Sequence, residues 1–324
     1  MNKDFYTYYS SELLPELQQL EKKRKKIKLS FILTLVIGFS IYVGCILAFD
    51  YWGNAIPMSL LVLMFLYLMF GWIFVPYYAI YVRFQENRDL KKWYKHKIMF
   101  RLLNFMYNDN YEYIPRQKLS YNVLNKSGLM LYSDFKNSAT IMGEDYLKCV
   151  FGNTVVQFSE LNAYKFHLLK KTVSFRGLFV SASFNKNLNS RTIVLSKSNT
   201  SYLTRLRLVI KESFNKGYLI QLENRDFNKN FLVYAEDEVE ARYVLSSSFM
   251  EKLLEYKDKI NQDVAFSFIN NRMYAAIYTN KNHFEANLSK PLTSMEEMIK
   301  HYTHFKMITD IVKDLELQLR LWNP

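Results

Sequence analysis

Two histidines, His301 and His304, stand three residues apart in a segment with a helical apolar stripe, so their imidazoles can share one face. A metal site would need more ligands, and the next candidate, Asp310, lies about a turn and a half further on. The chain has no HExxH motif and no second close histidine pair, and His96, His167 and His283 stand apart from one another. The spacing therefore predicts a core-edge or solvated histidine pair and no metal. Acid–base chemistry has other candidates in Glu144, Asp145 and Glu160, with Ser159 beside the last. Two cysteines, Cys45 and Cys149, form neither a disulfide framework nor a zinc spacing. Cys149 has no neighbouring motif that would lower its pKa, so a buried thiol is expected. Arg242, between Glu240 and Tyr243, reads as a member of a structural ion pair. Beyond the apolar runs the glycines are Gly128, Gly143, Gly152, Gly177 and Gly217, too scattered to cradle a phosphate. A P-loop nucleotidase and a Rossmann enzyme are thereby disfavoured, and no cofactor is implied.

The elements that must position these groups begin with two long apolar runs. Leu29–Phe49 and Ile56 to about Tyr81 hold no charged residue, and Asp50 is the single charge between them. A helix of roughly 20 apolar residues spans the ~30 Å hydrocarbon core of a bilayer. The joining segment, Asp50 to Ala55, has room only for a tight turn. The pattern predicts a transmembrane helical hairpin. A secretory signal would carry an apolar core of only ~7–15 residues and a small-residue cleavage site.

The flanks of the hairpin are basic. Lys22, Lys23, Arg24, Lys25, Lys26 and Lys28 precede the first run, and Arg83, Arg88, Lys91, Lys92, Lys95, Lys97 and Arg101 follow the second. Lys and Arg gather on the cytoplasmic side of short flanks, which predicts that both termini are cytoplasmic. Tyr51 and Trp52 fall at the outer interface, and Tyr77, Tyr78 and Tyr81 near the inner one. Ser40, Gly44 and Ala48 form a small-residue seam, expected to pack on the second span. Pro76 is expected to kink that span.

The net charge of +13 is concentrated near these flanks. Residues 1–28 carry +3, residues 83–101 carry +5, the hairpin −1, and the remaining 223 residues only +6. Basic residues beside a membrane are drawn to anionic headgroups. With no recognition motif present, nucleic acid is not an expected partner.

Around the hairpin, Ser10 or Ser11 is expected to cap a short helix bearing Leu13, Leu17 and Leu20 on one face. Residues 83–107 keep a helical pattern. From about residue 120 the pattern turns to short β-branched and aromatic runs: Tyr146–Phe151, Thr154–Phe158, Gly177–Phe184 and Thr192–Ser196. Gly152-Asn153 is expected to close one hairpin. Asn270-Asn271 is expected to close another, between Val264–Ile269 and Arg272–Thr279. Helices are expected at Glu236–Leu245, from a capping box of Ser248 and Glu251, and from Ser294 with Glu297 onward. The fold class is therefore α+β: a two-helix transmembrane hairpin, then a cytoplasmic domain with an antiparallel sheet and a long C-terminal helix. The expected divisions are 1–28 as a cytoplasmic N-terminal helix, 29–81 as the hairpin, 82–107 as a juxtamembrane basic helix and 108–324 as the α+β domain.

The blocks of this domain have a familiar order. Gly143-Glu-Asp-Tyr146 is followed by Gly152-Asn-Thr154, Phe158-Ser-Glu-Leu161, Phe175-Arg-Gly-Leu-Phe179 and Phe184-Asn-Lys186. Then come Phe227 through Val233-Tyr234, Asp237, Val239-Glu-Ala-Arg-Tyr243, Phe249-Met-Glu251, Phe266-Ser-Phe268, Tyr274 to Ile277 and Phe284-Glu285. In order and spacing the chain resembles the bacterial membrane-protein family catalogued as domain of unknown function 3137. It departs from the pattern at Ser190, where a glycine is expected. The resemblance implies paired N-terminal spans and a bacterial inner-membrane location, and it brings no catalytic residue, cofactor or substrate. Gly143, Gly152 and Gly177 fit turns, while Asn185, Lys186, Asp237 and Arg242 are polar positions in apolar blocks and become candidates for buried hydrogen bonding or a binding edge.

These residues point first to a membrane-anchored binding or scaffolding protein. Its partners would be the bilayer and either an unidentified protein or inner-leaflet lipid. Two spans without an intramembrane ionisable residue are too little for a transporter. The alternative is a membrane-tethered hydrolase or transferase built on Glu144, Asp145, Glu160 and Cys149.

Overall fold

The computed structural model describes residues 3–52, 57–108, 110–130, 140–151, 154–167, 170–198, 200–213, 218–279 and 283–320. Two compact units form, Met1–Leu102 with Glu285–Met298, and Leu103–Phe284 with Ile299–Pro324.

The first unit holds the apolar runs. Helix α1 (Lys3–Tyr8) passes through a π-turn (Tyr9–Leu13) into α2 (Leu14–Trp52), and α3 (Met58–Tyr94) returns beside it. The Ser10 or Ser11 cap does not form, because the chain is already helical there. Ser10 Oγ donates back to the Tyr6 and Thr7 carbonyls instead, at 3.0 Å each. Pro15 has no N–H to give residue 11, and the wider π-turn just before it absorbs that gap. At 1.5 Å per residue the 39-residue α2 is about 58 Å long, well beyond the apolar thickness of a bilayer. The most apolar windows of the two long helices are only 6% buried.

The hairpin interface differs from the expected seam. Ser40 and Gly44 are exposed, and a Cβ on Gly44 would meet nothing within 4 Å. The close approach is at Gly38, where an added Cβ would come within 2.5 Å of Val75 Cγ1. There Tyr67 Oη donates to the Gly38 carbonyl at 2.8 Å. Helix α3 runs on through Pro76.

Polar ends of these helices fold into a base with residues 285–298. Leu13, Leu17, Leu20, Leu90, Tyr94, Ile98, Leu292 and Met298 are buried. Glu21 accepts from Arg24 and from the Leu292 N–H at 2.9 Å, and Arg24 also donates to the Leu288 carbonyl at 3.0 Å. Tyr9 Oη reaches the Thr293 carbonyl at 2.7 Å. A carboxylate fixed by both a guanidinium and a backbone N–H satisfies three polar groups at once. Those bonds hold the Glu21 carboxyl below its ordinary value against the opposing effect of burial.

The second unit is a seven-stranded antiparallel sheet among the described residues. Its strands are β1 (Tyr111–Ile114), β2 (Thr140–Phe151), β3 (Thr154–His167), β4 (Lys170–Ser196), β5 (Tyr218–Ile220), β6 (Phe231–Ala235) and β7 (Asp263–Tyr278). Its helices are α4 (Phe100–Tyr107, reached from α3 through a second π-turn), α5 (Tyr121–Lys126), α6 (Ser201–Ser213), α7 (Arg225–Asn230), α8 (Glu238–Val244), α9 (Ser247–Ile260) and α10 (Met295–Arg320). Phe151 pairs with Thr154 as the expected hairpin requires, and its Gly152-Asn153 turn lies outside the described residues.

Two other turns read from the sequence are not turns. β4 is one strand from Lys170 to Ser196, and β7 is one strand across Asn270-Asn271. Both bend where Leu188 pairs with Asn270, whose φ is +52°. Between Ser183 and Thr192 β4 advances nine residues while β7 advances only four, from Arg272 to Phe268. The polar stretch that resembles a loop is thus surplus strand bulged out of the ladder. Across that bend β4 exchanges β3, paired as far as Ala182, for β6, paired from Thr192. Gly143 and Gly177 also lie inside strands. A Cβ on Gly177 would stand 1.9 Å from the Ile277 carbonyl oxygen, so this glycine permits close strand approach.

The sheet is buried on both faces. Phe175, Phe179, Ile193 and Leu195 join one core with Leu124 of α5 and Tyr202, Leu203 and Leu206 of α6. On other parts of the sheet, Phe249 and Tyr256 of α9 set their rings against Phe268 and Phe266, and Phe305 of α10 packs on Phe158. Helix α9 begins one residue after Ser246, so the Ser248–Glu251 capping box does not form.

Candidate functional site

The acid–base candidates meet at one bulge. Glu144 lies opposite Glu160 in the β2–β3 register, and the register then shifts between Glu144 and Leu147. Asp145 sits in that shift with φ +58°. It is fully buried, its N–H donates to the Pro115 carbonyl at 3.0 Å, and its carboxylate accepts from Tyr113 Oη at 2.5 Å. Burial and then the Asp145 charge push the Tyr113 hydroxyl pKa far above its ordinary value. Glu160, also fully buried, accepts from the His283 N–H at 3.1 Å. These carboxylates hold strands and a loop together.

His283, which stands alone in the sequence, packs against His304 with ring centres 4.2 Å apart. His301 is buried at 4% exposure and lies against Phe284. Burial pushes the His304 pKa down. Among the described residues no three His, Cys, Asp or Glu side chains converge as metal ligands. Cys149 is buried in β2, and burial alone pushes its thiol up to about 12. A thiol at that value holds almost no thiolate at neutral pH, so it is a poor nucleophile.

The polar candidates of the family-like blocks part into two groups. Asp237 caps α8, accepting from the Val239 and Glu240 N–H groups. Arg242 on the same helix binds Glu238 at 2.6 Å, Glu223 at 2.8 Å and the Gln221 carbonyl at 3.1 Å. Asn185 and Lys186 lie in the bulged stretch of β4, with side chains outside the described residues. Sequence reading missed the tie between that stretch and α8. Glu240 accepts from the Asn189 and Ser190 N–H groups and from Ser190 Oγ. Burial works against it, but the bonds from Ser190 and Asn189 hold the Glu240 carboxyl below its ordinary value. The serine that stands where a glycine was expected thus contributes a hydroxyl to this joint.

Of the interface residues, Lys22, Lys23, Lys25, Lys26, Lys28, Arg83 and Arg88 are exposed, whereas Arg24 is turned into the Glu21 pair. Arg83 lies over the Phe31 ring at 4.5 Å. Trp52 ends α2, and its side chain lies outside the described residues. Two clefts of similar size contrast. One of about 450 Å³ lies between the apolar runs, lined by Phe39, Tyr42, Tyr67, Trp72 and Val75. The other, of about 480 Å³ in the second unit, is polar and lined by Thr200, Lys257, Asp258, Asn261, Asp263 and Thr279.

Two exposed apolar helices of membrane-spanning length, in a chain that also folds an antiparallel sheet, point to a membrane-associated α+β protein. Residues 173–317 match the model of the family described as Protein of unknown function (DUF3137). The blocks from Gly143 to Leu161 precede the matched span. Among solved structures, the crystal structure of the mycobacterial trehalose monomycolate transport factor A, TtfA, is similar at 8% identity and a TM-score of 0.31. That alignment covers 63% of this chain and 89% of the other, and at this score it carries no argument. Comparison with curated proteins gave no match.

Proposed function

We propose that this chain is a membrane-anchored binding or scaffolding protein of a bacterial inner membrane. In this reading α2 and α3 cross the bilayer as a hairpin, both termini face the cytoplasm, and the sheet domain recruits a protein partner. The observation that carries the reading is the exposure of the apolar windows, which are 6% buried. In water such surface would associate or aggregate, whereas in lipid it is at home. The basic residues at the hairpin's open end support the orientation.

Binding rather than catalysis is supported by the state of the reactive groups. Asp145 and Glu160 are engaged with the Tyr113 hydroxyl and the His283 N–H, and the buried Cys149 thiol holds almost no thiolate at neutral pH. On the sheet domain, exposed Val239 and Tyr243 of α8 and Leu219 of β5 offer apolar surface to a protein. A photo-crosslinking residue placed at Val239, and in a second chain at Leu47, tests this in cells. The reading expects a discrete protein adduct at 239 and lipid adducts at 47. Absence of any protein adduct at 239 and at Tyr243 would count against recruitment.

A further inference from the structure

Where α2 and α3 leave their apolar runs, a cleft of about 290 Å³ lies between them. Lys23, Lys26 and Ser30 line it from α2, and Glu86, Asp89 and Trp93 from α3. Ser30 is already inside the apolar run that starts at Leu29. Lys26 and Lys23 lie about 4.5 and 9 Å outside Leu29 along the helix. The headgroup layer of a bilayer is about 5–8 Å thick on each side, so Lys26 and Glu86, the latter about 7.5 Å beyond Tyr81, sit at its depth, with Lys23 and Asp89 on its outer side.

The two walls carry opposite charges that do not cancel. Among the described residues Lys26 and Glu86 make no ion pair, although both line this one cleft. Asp89 adds a second carboxylate to the acidic wall while bound to Lys92 at 2.9 Å. Lys23 Nζ stands 3.7 Å from the Trp93 ring centre and Lys97 Nζ 4.9 Å. With two ammonium groups already on that ring, the cleft offers hydrogen-bond partners rather than an aromatic cage for a quaternary amine.

A phosphate diester with a primary ammonium a short chain away satisfies both walls. We propose that this cleft binds the phosphoethanolamine headgroup of a membrane lipid. The phosphate oxygens accept from Lys26, Lys23 and the Ser30 hydroxyl, and the ammonium donates to Glu86 and Asp89. A choline headgroup has no N–H to donate. A glycerol headgroup leaves the acidic wall without a cation. The proposal rests on the reading that the hairpin lies in a membrane.

The test follows the melting temperature of the full chain in detergent as phosphatidylethanolamine, phosphatidylcholine, phosphatidylglycerol or soluble glycerophosphoethanolamine is added. Phosphatidylethanolamine should bind about tenfold more tightly than the other two lipids, the worth of one charge-assisted hydrogen bond. Glu86→Gln should abolish its advantage over phosphatidylcholine, and Lys26→Gln should weaken all three lipids. Equal responses to the three lipids, or a preference that survives Glu86→Gln, would overturn the proposal. A soluble headgroup as effective as the lipid would overturn the membrane source. Failure of the membrane reading itself is seen separately, as release of the chain from membranes by alkaline extraction before any lipid is added.

Discussion

In the hairpin, Phe39, Leu63, Trp72 and Phe74 are 68%, 62%, 63% and 64% exposed, whereas Phe158, Phe179, Phe266 and Phe268 of the sheet are at 1% or less. Both regions are rich in large apolar side chains, yet one hides them and the other displays them. Apolar content alone does not say which solvent a segment is built for. The sheet removes its apolar side chains from water, and each buried aromatic contributes through area and packing. The hairpin satisfies its backbone within each helix and leaves its side chains facing outward, as lipid requires.

The largest expected effects break this contrast from the sheet side. Phe268→Ala empties a fully buried ring site beneath Phe249 and should cost about 3–5 kcal/mol in a denaturant melt of the detergent-solubilised chain. Next comes a matched pair of exposed residues. Met69 of α3 is 51% exposed and Leu208 of α6 is 57% exposed. Met69→Arg places a charge near the middle of a span and should cost about 2.5–3.5 kcal/mol of insertion, read as loss from the membrane fraction. Leu208→Arg should change stability by only about 0.5 kcal/mol or less. Equal tolerance of both substitutions would erase the distinction between the two surfaces.

Smaller effects sharpen the account of the sheet domain. Asp237→Ala removes the α8 cap and should cost about 1 kcal/mol by thermal unfolding, with Asp237→Asn retaining most of it. His304 gives a pH dependence of known sign. Burial lowers its folded-state pKa, so the unfolded chain takes up the proton first as pH falls below about 6.5. Its contribution is present above that value and is lost as pH falls toward the folded-state pKa. The melting temperature should therefore drop between pH 7.5 and 5.5, and His304→Gln should flatten that drop.

The two long apolar helices were legible because a run such as Leu29–Phe49 reaches by composition alone the length that a bilayer would impose. The antiparallel sheet was legible from aromatic and β-branched runs. Its connectivity was not, because Asn185 to Ser190 and Asn270-Asn271 have turn composition, yet the first is a bulge in one long strand and the second a bend in another. Nothing local distinguishes a bulge from a turn when the partner strand decides. The capping box at Ser248 failed for a similar reason, since Ser246 and Ser247 offered an earlier start. Asp237 and Arg242 stood out as polar positions in apolar blocks, but the Arg242 partners Glu223 and Gln221 come from outside the helix and left no local signal. The contact of His283 with His304 depends on tertiary folding and left no signal in the sequence.

The central claim is that the apolar helices form a membrane hairpin with both termini on one side. It is tested most directly by placing a single cysteine between the two apolar runs, Asn54→Cys, in a chain where Cys45 and Cys149 are replaced by alanine. A second chain carries the cysteine at exposed Glu236 of the sheet domain. On intact cells an impermeant thiol reagent should label position 54, and it should label position 236 only after the cells are opened. Labelling of 236 on intact cells, or protection of 54, would contradict the account.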